Sequence, residues 1–282
     1  MIEPVLSDHD LQNQILDTTP ELGQVALWWL GQSGLLVKSH LATILIDPYL
    51  SESLTTKYAG TSKPHIRMTR CPMDPSLLTM IDLVCCSHKH SDHMDPVTLT
   101  AVLKASPEAI LVLPTALIGH AGQIGIESGR LVGLDHGEVY ENFEKKISVR
   151  AVSAAHEGLD QNELGQFLYL SFVMKMDGVK IFHSGDTIPW EGQREAVGEG
   201  VDVAFLPING RDPSRGVPGN MTSDEAVDFA TSLRARHLIP HHYDMFTFNT
   251  VDVNEFAHAA GRLPAEVKPV ILRCGERFYI SR

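Results

Sequence analysis

Apolar residues in this chain fall into short runs broken by turns, and the spacing of the runs changes along the sequence. Val25–Leu30, Leu35–Lys38 and Thr43–Asp47 are near-continuous apolar segments separated by Gly31–Gly34 and by Ser39-His40. Strand-length runs punctuated in this way predict a β-meander. Asp82–Ser87 reads as a buried strand, and Asp95-Pro96 after it is a helix start, with Asp as the cap and Pro at the first helical position. Ala109–Leu113 reads as a second buried strand, followed by a helix from Thr115. Lys146–Ala154, Phe167–Met176 and Val179–His183 read as strands, the last two joined by an Asp177-Gly178 hairpin turn. Val201–Pro207 is a further strand. Thr222-Ser223-Asp224-Glu225 is a capping box, and the helix it opens carries Ala226, Phe229, Ala230 and Leu233 on one face. His237–Pro240 predicts a short strand, Val253–Arg262 a helix, and Val267–Leu272 with Arg277–Ile280 a closing hairpin.

Strands, then strand–helix alternation, occur twice in succession. Each half is β-rich and needs helices to cover its outer face, so the expected architecture is α/β, a four-layer αββα sandwich. The 282 residues form a single domain on this reading, with 1–24 as an N-terminal extension. Hydrophobic residues at 43% and charged residues at 21% fit an ordinary globular chain. A formal net charge of −12 with no Lys/Arg run makes nucleic acid an unfavourable partner. No apolar stretch approaches the roughly 18 residues of a membrane span, and Met1–Asp17 is too acidic for a secretory signal. The expectations are therefore a cytoplasmic location, a small-molecule substrate and no membrane partner, with homo-oligomerisation left open. The four cysteines, Cys71, Cys85, Cys86 and Cys274, form no C-x-x-C pair and read as small core residues.

The fourteen histidines change the picture, because five fall in two tight clusters. Ser87-His88-Lys89-His90-Ser91-Asp92-His93 lies between the buried strand and the capped helix. Rigid elements on both sides hold such a loop, so ligands there are ordered at little cost. His88 and His90, two apart in extended chain, point the same way. Asp92 and His93 follow the turn and can serve a second position, an arrangement suited to one or two divalent ions. His156, Asp186 and His242 each come just after a strand, where loops gather on one sheet edge. Asp186 sits in His183-Ser184-Gly185-Asp186-Thr187, and a carboxylate there can bridge two cations. His183 reads as an outer hydrogen-bond partner or a buried ring. His9, His40, His65, His120, His136, His237 and His258 have no partner motif.

H-x-H-x-D-H, then His, then Asp in a Ser-Gly-Asp turn, then His, resembles the ordered motif set of the metallo-β-lactamase superfamily. Trp28-Trp29-Leu30-Gly31, Pro207-Ile208-Asn209-Gly210-Arg211, Gly219-Asn220-Met221-Thr222 and Ile239-Pro240-His241-His242-Tyr243 look like its L-ascorbate-6-phosphate lactonase-like branch. The resemblance runs from about residue 25 to residue 243 and is weaker around His156; the lactonases are longer chains. It implies that His88, His90 and His156 hold one metal, that Asp92, His93 and His242 hold another, and that Asp186 lies between. It selects His242 over His241 because the ligand precedes the aromatic position, here Tyr243. It makes Asp47 structural and favours Zn2+ or Mn2+. Asp92 is the expected catalytic carboxylate, orienting water and shuttling its proton. Asn209 and Arg211, with Arg215 nearby, are expected either to bind an anionic group of the substrate or to be loop architecture. Tyr49, Trp190 and Tyr243 are candidates for the pocket wall.

The implied activity is hydrolysis of a small polar, anionic lactone or ester by hydroxide available at neutral pH on a metal. Two alternatives stand beside it: a phosphodiesterase or phospholipase-like enzyme on the same fold, and a non-catalytic metal-binding protein.

Overall fold

The computed structural model describes residues 1–282. Its strands are β1 (Gln24–Trp29), β2 (Leu35–Lys38), β3 (Thr43–Ile46), β4 (Leu83–Cys85), β5 (Ile110–Pro114), β6 (Leu131–Leu134), β7 (Val139–Asn142), β8 (Ile147–Ser153), β9 (Leu170–Met176), β10 (Val179–His183), β11 (Val203–Pro207), β12 (His237–His241), β13 (Lys268–Pro269) and β14 (Arg277–Ser281). The helices are α1 (Asp8–Asp17), α2 (Ser53–Lys57), α3 (Pro96–Ala105), α4 (Ile118–Gln123), α5 (Gln193–Val197), α6 (Ser223–Ser232) and α7 (Val253–Ala259). No helix is long and apolar enough to cross a membrane.

Two seven-stranded sheets form, ordered β14-β1-β2-β3-β4-β5-β6 and β13-β12-β11-β10-β9-β8-β7. They pack face to face. Val25, Leu27 and Trp29 of β1 enter the inter-sheet core beside Phe172, Ile181 and Phe205 of the second sheet. The alternate residues Ala26, Trp28 and Leu30 pack outward on Leu11 and Ile15 of α1 and Leu99, Val102 and Leu103 of α3. Both faces of β1 are buried, which explains why the run is continuous and not alternating. On the second sheet, α6 and α7 supply the outer layer through Ala226, Phe229, Ala230 and Phe256. The result is the expected αββα sandwich.

Strand direction decides where function can sit. In the first sheet β1 is antiparallel to β2, β2 to β3, and β3, β4 and β5 are parallel. In the second, β8 and β10 share a direction through antiparallel β9, and β10, β11 and β12 are parallel. The carboxyl ends of β1, β3 and β4 therefore emerge on one edge, and those of β8, β10 and β12 on one edge of the other sheet.

The closing hairpin does not form. β13 pairs in parallel with β12 in the second sheet, whereas β14 pairs antiparallel with β1 in the first. The connection crosses between sheets, pinned where the Tyr243 hydroxyl donates to the Leu272 carbonyl at 2.5 Å and Gly275 N–H donates to the Trp29 carbonyl at 2.8 Å. Within 1–24, α1 is packed structure: Leu11 and Ile15 are fully buried, and the Trp28 indole N–H donates to Gln14 Oε1 at 2.9 Å.

Candidate metal centre

The loop after β4 is held from below by one carboxylate. Ser87 N–H donates to Asp47 Oδ1 at 2.7 Å, and Ser87 Oγ donates to Asp47 Oδ2 at 2.5 Å. His93 and Met94 N–H groups both donate to the His90 carbonyl, at 2.9 and 2.8 Å, so one helical turn follows the extended His88–His90 stretch. That turn brings His93 back toward His88, with ring centroids 4.1 Å apart. Asp95 then caps α3, accepting from Thr98 N–H at 3.0 Å. Asp47 itself sits at φ 43°, a left-handed conformation that Asp tolerates better than most residues, and this aims its carboxyl under the loop.

Seven side chains meet above that carboxylate. His88 Nε2 and His90 Nδ1 are 3.0 Å apart, and the His156 ring lies 5.4 and 5.0 Å from theirs. Asp92 Oδ2 stands 3.7 Å from His93 Nε2 and 3.8 Å from His242 Nε2. Asp186 faces both groups: Oδ1 is 3.3 Å from His93 Nε2, while Oδ2 is 3.3 Å from His242 Nε2 and 3.9 Å from His156 Nε2. His88–His90–His156, His88–His93–Asp186 and Asp92–His93–His242 each offer ligand atoms within 4.8 Å of one another.

These donors fit divalent ions. Two ligand atoms bound tetrahedrally at about 2.0–2.1 Å lie roughly 3.3–3.4 Å apart, inside the range of separations found here. The His93 Nδ1 faces Asp47 Oδ2 at 2.8 Å and donates to it, which leaves Nε2 with its lone pair toward the centre. That Nε2 and Asp186 Oδ1 are both buried without a hydrogen-bond partner, as expected of atoms whose partner is a cation. Imidazole and carboxylate without thiolate is a donor set that serves Zn2+ and Mn2+ alike.

Electrostatics agree. Burial pushes His88 and His90 below the ordinary histidine range and His156 down to about 4, so all three are neutral ligands at pH 7. Burial presses on His93 in the same direction, but Asp186, Asp92 and Asp47 around it hold it well above that range. Burial opposes the charge on Asp186, yet His242 and His93 keep its carboxyl well below the usual carboxylate range. Three carboxylates around one imidazole make a site that calls for positive charge.

Gln32 is the residue that the sequence reading missed. It is fully buried at φ 51° in the loop after β1, its side-chain amide donates to Asp92 Oδ2 at 2.8 Å, and its carbonyl accepts from His242 N–H at 3.0 Å. One polar side chain in a glycine-bounded loop gave no metal-binding pattern; only its place at a strand end on the shared edge was a signal. Tyr169, also unremarked, lies over the three histidines, 5.2 Å from the His88 and His156 rings.

The expected substrate residues lie elsewhere. Arg211 makes a two-pronged ion pair with Glu225, at 2.7 and 2.5 Å, and donates to the Asn220 carbonyl at 2.8 Å. It lines a separate groove, as does Arg215, which donates to the Asn209 and Thr250 carbonyls. Asn209 is buried in an amide chain with Asn220 and Asn249. Tyr243 is buried and stacked on Trp29 at 4.4 Å. The buried Tyr49 and the Trp190 indole likewise pack away from the centre. For the residues after β11 the reason is shared: Arg211, Arg215 and Asn209 spend their polar groups on Glu225, on backbone carbonyls and on neighbouring amides before they reach the metal edge. His183 and His241 sit behind the centre, His183 Nε2 on the Ser33 carbonyl at 2.8 Å and His241 between the hydroxyls of Ser33 and Ser184.

A family model described as "Beta-lactamase superfamily domain" matches residues 42–243, well over half of the chain. This chain belongs to the β-lactamase superfamily. The match begins just before β3 and ends at Tyr243, so it takes in all seven clustered side chains. A Salmonella gallinarum protein named "Probable L-ascorbate-6-phosphate lactonase UlaG" is 26% identical over 290 residues, covering 91% of this superfamily member and 81% of its own length. Among solved structures, Igni18 from Ignicoccus hospitalis, described as a novel metallo hydrolase, aligns at TM-score 0.66 and 22% identity over 91% of this chain and 98% of its own. An isothiocyanate hydrolase from Delia radicum gut bacteria aligns at TM-score 0.72 and 18% identity over 91% and 100%. These likenesses carry the fold; with the family match and the donor cluster, the chain is a metal-dependent hydrolase of the superfamily.

Proposed function

We propose that the protein hydrolyses a small lactone or ester at its carbonyl carbon, with His88, His90 and His156 holding one divalent ion, Asp92, His93 and His242 a second, and Asp186 between them. The observation that carries this reading is the two-sided ligand cluster with orphaned donor atoms at the base of an open cleft of about 590 Å³. The name of the lactonase relative supports the carbonyl centre. Divalent cations held here would lower the pKa of water toward about 7 and polarise the scissile carbonyl. The chain's own residues do the rest. Burial and the neighbouring Asp186 carboxylate oppose the charge on Asp92, but His93, His242 and His90 outweigh them and hold its carboxyl below the usual carboxylate range, so it is ionised and accepts a proton from the attacking water. Gln32 fixes one Asp92 oxygen and leaves the other free to take that proton and hand it to the departing alkoxide. The buried Phe246 ring and the His-rich floor of the cleft hold the reacting group away from bulk solvent.

Protein purified without added metal should be analysed for its native ions, then assayed with them restored. A panel of lactones and aryl esters set against bis-aryl phosphodiesters should show turnover of the carbonyl compounds at least tenfold faster. Faster phosphodiester cleavage would transfer the site to phosphoryl chemistry, and no turnover of either class would leave a metal-binding protein.

A further inference from the structure

The cleft above the metal centre is charged against the rest of the molecule. Its cationic side chains are Lys57, Lys63 and Lys89, and its carboxylates are Asp92 and Asp186, both committed to the histidines. The molecule as a whole carries a formal charge of −12. The neighbouring groove that holds Arg211 shows the contrast: Asp212, Asp224, Asp252 and Glu255 line it. A cleft whose uncommitted charges are cationic, in a chain that is anionic overall, concentrates anionic ligands.

One wall of the same cleft is aromatic. The His65 ring stacks on Tyr58 at 4.2 Å and meets Phe248 and Phe246 edge-on at 4.6 and 4.9 Å. His65 Nδ1 faces the Lys63 carbonyl at 3.1 Å and donates to it, so this histidine serves the wall and not the metal. Tyr58 and Phe248 are only half-buried and keep ring surface toward the cleft.

Hydrogen bonds tie the wall and Lys63 to the neighbouring loops. Thr247 N–H donates to the Ile66 carbonyl and Met68 N–H to the Met245 carbonyl, tying 64–68 to the loop after β12. Lys63 Nζ donates to the Gly216 carbonyl at 2.5 Å, which ties it to the 213–218 loop and spends one of its three N–H groups. Lys57 Nζ stands 5.3 Å from the Tyr58 ring centre, so positive charge and ring face are presented together.

We infer that the cleft selects an organic anion with a flat aromatic body, its ring laid on the Tyr58–His65–Phe248 wall and its carboxylate or phosphate held by Lys57 and Lys63 while its ester or lactone reaches the metal centre. This rests on the hydrolase reading above. The lysines, and not Arg211, supply the charge, because they reach the cleft and Arg211 is neutralised by Glu225.

Calorimetric binding to the metal-loaded protein tests it, with naphthalene-2-carboxylate as the anionic probe and 2-naphthamide as its neutral match. The anion should bind at least tenfold more tightly. The double variant Lys57→Gln/Lys63→Gln should lose about tenfold for the anion and little for the amide, two partly exposed charges being removed. Phe248→Ala should weaken both probes alike by about two- to tenfold. Metal content and circular dichroism of each variant must match the parent; a Lys57→Gln single variant gives a milder form of the same comparison. An anion preference that survives loss of both lysines would mean the metal holds the carboxylate and overturns the inference. Probe affinities indifferent to Phe248→Ala overturn the aromatic half. Should the binding pattern hold while no lactone or ester is turned over, the hydrolytic reading fails alone; turnover without charge or ring discrimination sinks only this inference.

Discussion

Asp47 is not among the candidate metal ligands, yet the structure makes it the support on which the centre depends. It is fully buried and accepts from Ser87 N–H, Ser87 Oγ and His93 Nδ1, at 2.7, 2.5 and 2.8 Å. Asp47→Asn keeps the shape and the bond from Ser87 N–H, but places an amide N–H group against His93 Nδ1. Two donors then face each other, and the imidazole relieves the clash by moving its proton to Nε2, which can no longer bind a cation. Loss of such a support typically weakens metal affinity about 10–100-fold, or about 1.4–2.7 kcal/mol. The metal-free protein should lose less, about 1 kcal/mol, because replacing charge-assisted bonds by neutral ones is offset by burying no charge. With metal in excess the stabilisation by binding shrinks along with the affinity, so the melting temperature of the loaded protein should fall further than that of the metal-free form. Competition against a chromophoric chelator measures the affinity, and paired thermal melts with and without metal measure the rest. A folded Asp47→Asn protein binding metal within twofold of the parent would show that something other than Asp47 sets the His93 tautomer, and the reasoning would be wrong.

Four further outcomes follow from the same geometry. Asp186→Ala should lower metal content and turnover together, whereas His183→Ala, which removes bonds to Ser33 and Gly185, should lower the melting temperature while leaving most of the metal bound; equal metal loss in both would reverse their roles. Gly185→Ala should cost metal as well as stability, because the residue sits at φ 57° and an added Cβ would lie 2.7 Å from the Ser87 Cβ; an unchanged metal content counts against this contact. Arg211→Ala should leave KM for anionic substrates within about twofold and cost about 1 kcal/mol or less in a denaturant melt, since it removes only a partly exposed pair with Glu225; a selective KM rise for anions would restore it to the substrate site. In chelator-treated protein, His88, His90, His156, His183 and His241 are all held below 6.5 by burial, so the unfolded chain takes up their protons first. Their contribution is complete above about pH 6.5 and is lost as pH falls toward their folded values, against which His93 alone, raised, works in the opposite sense. The melting temperature should therefore drop between pH 7 and 5, and a flat or rising profile refutes this accounting.

Much of the protein was legible in its sequence, for a physical reason. Buried strands leave long apolar runs, helix caps need particular residues at particular spacings, and His88 to His93 lie close in space because they lie close in the chain. β1 to β5 and β8 to β12, the Thr222–Glu225 cap and the seven clustered side chains were all visible in that way. Elements stabilised by distant partners were not. α1 carries only Leu11 and Ile15 as buried positions and is held by Trp28 and by Lys38, whose Nζ donates to the Ile15 and Leu16 carbonyls. β6 and β7 are edge strands of four residues each, β6 an apolar run too short to mark a strand and β7 with little apolar pattern of its own. The destination of β14 depended on β1 and not on its nearest neighbour in sequence. The surroundings of the centre divide in the same way. The ligand types and their order are chemical and local, so the chain itself determined them. Whether a flanking arginine reaches the cleft or spends its charge on Glu225, and whether Gln32, His65 and three lysines converge there, is decided by long-range packing, because a polar side chain takes the nearest partner that the fold brings to it.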